Sequence, residues 1–121
     1  MSGLLSLRLA VASKENISIN EHFGHAKAFR IYDVTPAECR FLENREVAHY
    51  CLGNSSSQSA MAGILEAIRD CQAVFVAKIG DGPTEKLQAI GVQAVSAYAH
   101  EAIEDSLLDY ASRLAAGEVV T

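Results

Sequence analysis

The feature that most constrains the fold is a short run at residues 73–77, Ala-Val-Phe-Val-Ala, in which every side chain is apolar. A strand with one face in water alternates apolar and polar residues, so an unbroken apolar run is typical of a strand covered on both faces. Residues 60–71 before this run, and residues 103–114 further along, repeat their apolar residues at helical spacing. The run therefore predicts a central strand in a sheet that is covered by helices.

The first half of the chain predicts three strands. Leucine and valine alternate with smaller or polar residues at 5–11, and residues 28–34 and 39–47 also have strand character. Pro36 lies in a segment with turn chemistry between the second and third strands, which predicts a hairpin. Residues 14–27 are polar and rich in turn-forming types, so we expect a long loop there.

The second half predicts alternating helices and short strands. Residues 53–59 contain mainly Gly, Asn, Ser and Gln, which indicates a flexible connector before the helix along residues 60–71. Residues 80–83 start a second helix, and Gly91 is suited to follow its C-terminus. The remaining elements are a strand, a helix and a frayed tail, at residues 92–95, 103–114 and 117–121.

The predicted order is therefore β-β-β-α-β-α-β-α. We expect an α/β fold with one mixed five-stranded sheet, in which an antiparallel hairpin is followed by right-handed crossovers that add parallel strands. Helices flank this sheet. The length fits a single domain over residues 1–121, with a core at about residues 5–115.

Composition excludes several classes of function. The net charge is −5 and there is no basic stripe, which is unfavourable for nucleic-acid binding. No apolar run approaches the length of a membrane span, and the N-terminus lacks the basic region of a signal peptide. The three cysteines include no C-x-x-C motif, which fits a reducing compartment. We therefore expect a cytoplasmic protein that binds neither nucleic acid nor membranes.

The charge is unevenly distributed along the chain. Residues 1–50 contain six basic and six acidic side chains, whereas residues 51–121 contain four basic and nine acidic ones. Three of the four histidines also lie in the first half. The first half is therefore the better host for an anionic ligand.

The segment that follows the first predicted strand contains two histidines, His22 and His25, three residues apart. Imidazole is a common ligand for borderline metals, and Gly24 lets the backbone turn sharply or approach a bound group closely. The spacing indicates metal or cluster capture by an open imidazole with a neighbouring donor. The alternative is a loop whose histidines are solvated or cap a turn.

Two further candidate ligands follow the predicted hairpin. Cys51 can supply a thiolate, and His49, two residues earlier, points the same way on an extended segment. The alternative is that Cys51 is a small buried apolar residue at the end of the hairpin. Cys71, on the apolar face of a helix, and Cys39, beside a turn, are predicted to be structural.

Basic side chains can also surround an anion. Arg30, Arg40 and Arg45 are candidates, but Arg30 should face away from its apolar neighbours on the strand, as an ordinary solvated arginine does. Lys78 and residues 80–82 leave a buried strand and enter a helix, where open α/β sheets bind ligands. The simpler interpretation of that segment is a strand-to-helix turn.

Three segments carry a resemblance to a known family. They are Leu9-Ala10-Val11-Ala12-Ser13, Ile19-Asn20-Glu21-His22-Phe23-Gly24-His25-Ala26 and Phe29-Arg30-Ile31-Tyr32-Asp33-Val34. Together with residues 46–51, 73–80 and 89–92, they resemble the dinitrogenase iron-molybdenum cofactor-binding family. This family includes proteins of the NifX and NafY type and the C-terminal domain of NifB. The resemblance covers residues 7–112, and the Asn-x-His-Phe-Gly segment is its most specific part.

The resemblance implies a ribonuclease H-like sheet without nuclease activity. It also implies binding of an iron-sulfur cluster precursor or the iron-molybdenum cofactor during nitrogenase assembly, with His22 as a candidate ligand by the motif match. Relatives of the NifB type have a further cysteine after the Tyr-Cys pair, whereas residues 54–57 here are Asn-Ser-Ser-Ser. This departure disfavours a thiolate-rich site. The candidate cofactor-binding residues are Asn20, His22, Gly24, His25, His49 and Cys51, and the candidate metal ligands are His22 and Cys51.

The leading hypothesis is a carrier without catalytic activity that ligates its cargo reversibly through His22, with the loop at 14–27 as a mobile lid. Its partners would be nitrogenase cofactor assembly proteins or apo-dinitrogenase, and it would be a monomer or weak dimer. One alternative is a protein-interaction module of the same fold that has lost cluster binding. The other is a cysteine- or metal-dependent hydrolase. The cysteine hydrolase is disfavoured because Cys51 and His49, two residues apart on a strand, seldom orient as nucleophile and base. The metal-dependent hydrolase is disfavoured because the predicted first and fourth strands contain no carboxylates for two-metal catalysis.

Overall fold

The computed structural model describes residues 6–47, 57–118 and 120, and the side chains of these residues except 25 and 57–61. In this part of the chain, five strands and three α-helices follow one another in the predicted order. The strands are β1 (Leu7–Val11), β2 (Ala28–Val34), β3 (Cys39–Glu46), β4 (Ala73–Phe75) and β5 (Gln93–Val95). The helices are α1 (Ser57–Ile68), α2 (Asp81–Ala89) and α3 (Ile103–Ala115). None of the helices in this part of the chain combines the length and apolar character of a membrane span.

The strands form one mixed sheet in the order β3-β2-β1-β4-β5. β1, β2 and β3 pair in an antiparallel way, whereas β4 is parallel to β1 and β5 is parallel to β4. This arrangement confirms the predicted α/β class and the mixed five-stranded sheet. The ribonuclease H-like class stays a prediction.

A separate apolar core lies on each face of the sheet. On one face, β-strand residues such as Ile31 and Val74 pack with Ile64 and Ile68 of α1 and with Leu87 of α2. On the other face, Leu9, Val11 and Phe75 pack with Leu107 and Tyr110 of α3. All three residues of β4 are fully buried, which explains why its sequence does not alternate.

Most predicted bounds are confirmed to within two residues, and β2 begins and ends at the predicted residues. The connector predicted at 53–59 is wrong at its end, because α1 already begins at Ser57. Residues 53–56 lie outside the described part of the chain. Gly91 follows α2 with a φ of 81°, as expected for a glycine at a helix C-terminus.

The frayed tail predicted at 117–121 is wrong for the residues that the structure describes there. Gly117 has a φ of 86°, which turns the chain back after α3, and the Glu118 backbone N–H donates to the Arg113 carbonyl at 2.9 Å. The Gln93 side-chain amide donates to the Val120 carbonyl at 2.7 Å. The first bond closes the end of α3, and the second joins Val120 to the start of β5.

Asp70, which follows α1, joins that helix to the sheet. Its carboxylate accepts hydrogen bonds from Arg45 of β3, at 2.7 and 3.1 Å, and from Arg8 of β1 at 3.3 Å. The same Arg45 guanidinium donates to the Ala67 carbonyl at 2.6 Å. The bonds from Arg45 are the main reason why the pKa of Asp70 is lowered to about 2. Two strands and the end of a helix are thus held at one charged junction.

Replacing Asp70 with Asn should lower the free energy of unfolding near neutral pH by about 1 kcal/mol, a small value because the side chain is 41% exposed and water screens the pair. The folded-state pKa of about 2 lies below the ordinary value of 3.8, so this stabilisation is present above about pH 4 and is lost as the pH falls toward 2. Urea unfolding of wild type and Asp70→Asn across this range measures the difference, with Glu85→Gln on α2 as the control. If Asp70→Asn lowers the free energy of unfolding equally at high and low pH, the stabilisation by Asp70 is not ionic.

Candidate functional site

The candidate site lies at the carboxyl ends of β1 and β4, two neighbouring parallel strands at the centre of the sheet. The chain leaves β1 toward β2, on one side, whereas it leaves β4 through α2 toward β5, on the other side. A pair of parallel strands whose connections depart in opposite directions is where open α/β sheets bind ligands. The long loop after β1 runs along these strand ends.

This loop is fastened to the rest of the molecule by backbone hydrogen bonds. The His100 N–H donates to the Ile19 carbonyl at 2.7 Å, the Ala77 N–H donates to the Glu21 carbonyl at 2.9 Å, and the Phe23 N–H donates to the Lys78 carbonyl at 2.9 Å. Ile19 and Phe23 are also buried, one in each of the two cores. The mobile lid predicted for the whole loop is therefore wrong over residues 18–26, because moving that part would break these bonds and expose both side chains.

His22 lies between two of these fixed points. Its backbone is extended, it forms a parallel bridge with Lys78, and its N–H donates to the Glu21 carboxylate at 3.0 Å. The His22 side chain is exposed, although its neighbour Phe23 is almost completely buried. The structure thus presents an accessible imidazole on a backbone whose position is set by the core.

Asn20 closes the outer turn of the same loop. Its side-chain oxygen accepts the Lys14 N–H at 2.8 Å, and its side-chain nitrogen donates to the Glu15 carboxylate at 2.7 Å. Ser13 completes the turn by accepting the Asn16 N–H at 2.8 Å. The amide of Asn20 is therefore used within the loop, and direct contact of Asn20 with a cofactor stays a prediction.

The other predicted ligands are only partly covered by the structure. Gly24 is half-buried within a single 3-10 turn, Phe23–His25, where the backbone bends between the buried side chains of Phe23 and Ala26. The backbone of His25 lies in this turn, but its side chain, His49 and Cys51 are outside the described residues. The described segment before His49 ends at Val47, whose N–H donates to the Lys27 carbonyl at 2.8 Å. That contact places the end of the segment beside the loop.

Cys39 and Cys71 have the properties of structural residues, as predicted. Burial raises the pKa of the Cys39 thiol to about 11, with a further contribution from Glu104. Burial likewise raises the pKa of Cys71 to about 12, assisted by Asp70. Both thiols are protonated near neutral pH, and a protonated thiol is a poor metal ligand.

The three candidate arginines differ in their surroundings. Arg45 is held in the junction with Asp70 and Glu43, so it is not available to an external anion. Arg40 is exposed on β3. Arg30 is half-buried, and the carbon at the centre of its guanidinium lies 4.1 Å from the centre of the Phe41 ring. Arg30 does face away from Phe29 and Ile31, as predicted.

Lys78 and the residues after it fit the simpler interpretation. Gly80 occupies the N-cap position of α2, and the Thr84 hydroxyl donates to the Gly80 carbonyl at 2.8 Å. Asp81 and Pro83 lie in the first turn of the helix, where an acidic side chain and a proline are both favourable. This segment is an ordinary strand-to-helix turn.

Sequence reasoning missed a cleft of about 400 Å³ beside the loop, which we call the basic cleft. It is lined by Ser13, Lys14, Asn16, Glu21, Lys27, Ala28, Arg30 and Asn44. Strand register brings these residues together, because Arg30 lies opposite Val11 at the end of β1 and opposite Asn44 on β3. The available signal was that Lys14 and Lys27 flank the predicted loop and would meet if β1 and β2 formed an antiparallel pair.

Replacing Phe23 with Ala should lower the free energy of unfolding by about 3 kcal/mol or more, because it removes a large side chain that is 1% exposed. His22→Ala, one residue away, should change it by less than about 0.5 kcal/mol, because that side chain is exposed. Urea unfolding of both variants measures the contrast. A small effect of Phe23→Ala would mean that the loop does not depend on its buried anchor.

Comparison with known proteins agrees with the resemblance found in the sequence. The family model for dinitrogenase iron-molybdenum cofactor matches residues 6–113. The FeMo cofactor biosynthesis protein NifB of Herbaspirillum seropedicae is 44% identical over 119 residues, which are 95% of this chain and 23% of that protein. NifB of Azotobacter vinelandii is 39% identical over 103 residues, which are 83% of this chain and 20% of that protein. The chain thus spans less than a quarter of the length of these two relatives.

Solved structures also share the fold. The crystal structure of PH0822 has a TM-score of 0.59 at 18% identity and covers 95% of this chain and 96% of its own. The crystal structure of a Methanocaldococcus jannaschii protein has a TM-score of 0.51 at 13% identity and covers 94% of this chain and 92% of its own. At such identities the likeness concerns the fold, whereas the family model matches the sequence itself. The chain belongs to the dinitrogenase iron-molybdenum cofactor family.

Proposed function

We propose that this domain binds an iron-sulfur cluster precursor or the iron-molybdenum cofactor as cargo and carries it during nitrogenase cofactor assembly. The observation that carries the proposal is the position of His22. It is an exposed imidazole in the most specific segment of the family resemblance, held at the carboxyl ends of β1 and β4 by bonds on both sides. Membership of the dinitrogenase iron-molybdenum cofactor family supports this class of cargo.

The proposed mechanism is reversible ligation without catalysis. A carrier must release its cargo, so one or two protein ligands suit it better than a closed site with four ligands. His22 is the first ligand, and Cys51, with His49 beside it, or His25 supplies a second donor. Gly24 lets the backbone of the 3-10 turn approach the bound cluster. The core fixes the backbone of His22, so little backbone ordering is needed when His22 binds the cluster.

The proposal extends to where the domain acts and with what. The named relatives are FeMo cofactor biosynthesis proteins, of which this chain spans less than a quarter. We therefore assign to the domain the handling of the cofactor rather than its synthesis. Its partners are then nitrogenase cofactor assembly proteins or apo-dinitrogenase in the cytoplasm, and the domain is a monomer or weak dimer.

A second candidate is a protein-interaction module that has lost cluster binding. The feature in its favour is the sequence Asn-Ser-Ser-Ser at residues 54–57, in the region where the family resemblance implies a further cysteine. A nuclease of the two-metal type is a weaker candidate, because β1 and β4 contain no carboxylate in Leu7–Val11 or Ala73–Phe75. A hydrolase that uses Cys39 or Cys71 is disfavoured by the raised pKa of both thiols.

The test is an anaerobic titration of the protein with an iron-sulfur cofactor precursor, followed by visible absorption and electron paramagnetic resonance. Wild type should bind one equivalent, and His22→Ala should bind at least about tenfold more weakly, since it loses a metal–ligand bond. A changed resonance signal in the variant would report the lost imidazole directly.

The matched control is His100→Asn, which removes another imidazole from the same end of the sheet. Asn is chosen because residue 100 has a φ of 69°, a conformation that Asn tolerates better than Ala does. This variant should bind like wild type. If wild type binds no precursor, the interaction module becomes the better assignment. If His22→Ala and wild type bind equally well, His22 is not a ligand.

A further inference from the structure

The basic cleft contains an arginine that forms no ion pair with a carboxylate of the described residues. Arg8, Arg45, Arg69 and Arg113 each form an ion pair with a carboxylate. Arg30 forms none with the described carboxylates, although it is half-buried. Since no described carboxylate pairs with this charge, an external anion can serve as its counter-ion.

The guanidinium of Arg30 is also held in place. Its Nε donates to the Tyr32 hydroxyl at 3.1 Å, and its central carbon lies 4.1 Å from the centre of the Phe41 ring. Tyr32 and Phe41 pack edge to face with ring centres 5.6 Å apart, which fixes the platform beneath the guanidinium. A guanidinium fixed in this way is well suited to bind a carboxylate or phosphate through its planar fork of donors.

Two lysines add positive charge to the same cleft. Lys14 and Lys27 are exposed, and neither forms an ion pair with the carboxylates in the described part of the chain. Glu21 also lines the cleft, but one of its oxygens accepts the His22 N–H. With three basic groups against one acid, the cleft is locally cationic in a protein whose net charge is −5.

The acidic residues near Arg30 indicate which side of it an anion would occupy. Glu104 and Asp105 line a separate depression of about 330 Å³ at the start of α3, which Arg30 also borders. Their charge is unfavourable for an anion on that side. Lys14, Lys27 and Asn44 line only the basic cleft, whereas Asn16 borders both depressions. The favourable position is therefore between Arg30 and the two lysines.

We infer that the basic cleft is a second binding site, for a small anion that carries at least two carboxylate or phosphate groups. Arg30 binds one group through two parallel N–H donors, Lys14 and Lys27 bind the other as point charges, and the cleft's amide groups donate to the remaining oxygens. Its volume of about 400 Å³ is within the range of small-molecule sites. The site is distinct from His22, which does not line the cleft.

The probes are citrate and pyrophosphate, added separately to the protein, with acetate at matched ionic strength as the reference. Two-dimensional ¹H–¹⁵N NMR spectra should show saturable shifts at the amides of residues 13–16 and 27–30, with citrate in the millimolar range of affinity or tighter. Arg30→Gln should weaken this binding at least about fivefold, because it removes a charge-assisted bidentate contact. Arg40→Gln removes the same charge from exposed β3 and should bind citrate like wild type.

A second variant, Lys27→Gln, removes a positive charge from an exposed side chain and leaves the contact of Arg30 with Phe41 in place. It should also weaken citrate binding. Its control is Lys86→Gln on α2, which should bind citrate like wild type. The absence of saturable shifts at the cleft, or equal weakening by Arg30→Gln and Arg40→Gln, would overturn the inference. His22→Ala should leave citrate binding unchanged, and a loss of citrate binding in that variant would overturn the separateness of the two sites. If the protein binds the cluster but not citrate, the proposed carrier function is unaffected and only the second binding site is overturned.

Discussion

The parallel pairing of β1 with β4 is the constraint on which the rest of the structure depends. Leu9 to Val11 lie opposite Ala73 to Phe75, and both strands are buried at this pairing. Because neither strand can show a face to water, helices must cover both sides of the sheet, and two cores result. Because the connections after β1 and β4 run in opposite directions, the same pairing also creates the crevice that the loop occupies.

The loop joins the core to the site where its backbone changes from extended to a 3-10 turn. His22 is the last extended residue and is exposed, whereas Phe23 begins the turn and is buried. The bonds of Glu21 and Phe23 to the end of β4 fix the residue between them. A site built in this way needs no flexible closure to position its ligand. The position of His22 depends on core packing, so a substitution that disturbs the core should also displace the site.

The spacing of apolar residues was sufficient to predict the strands and most of the helices, because burial on one or both faces determines that spacing. It failed at the start of α1, where Ser57 and Gln58 have the composition of a loop although they are helical. It also failed at the tail, whose contact with Gln93 depends on tertiary structure. The basic cleft was missed for a related reason. Lys14 and Lys27 lie far apart in the sequence, and only strand register brings them together.

The distribution of charge has a consequence for selectivity. Arg8 and Arg45 are neutralised at the junction with Asp70, whereas Arg30, Lys14 and Lys27 have no carboxylate partner within residues 6–47, 57–118 and 120. The net charge of −5 repels a large polyanion at a distance, but screening limits any one charge to about 8 Å at physiological ionic strength. A small anion that reaches the cleft therefore experiences mainly the nearby basic groups. An acidic protein with a local cationic cleft can thus select small anions over nucleic acids.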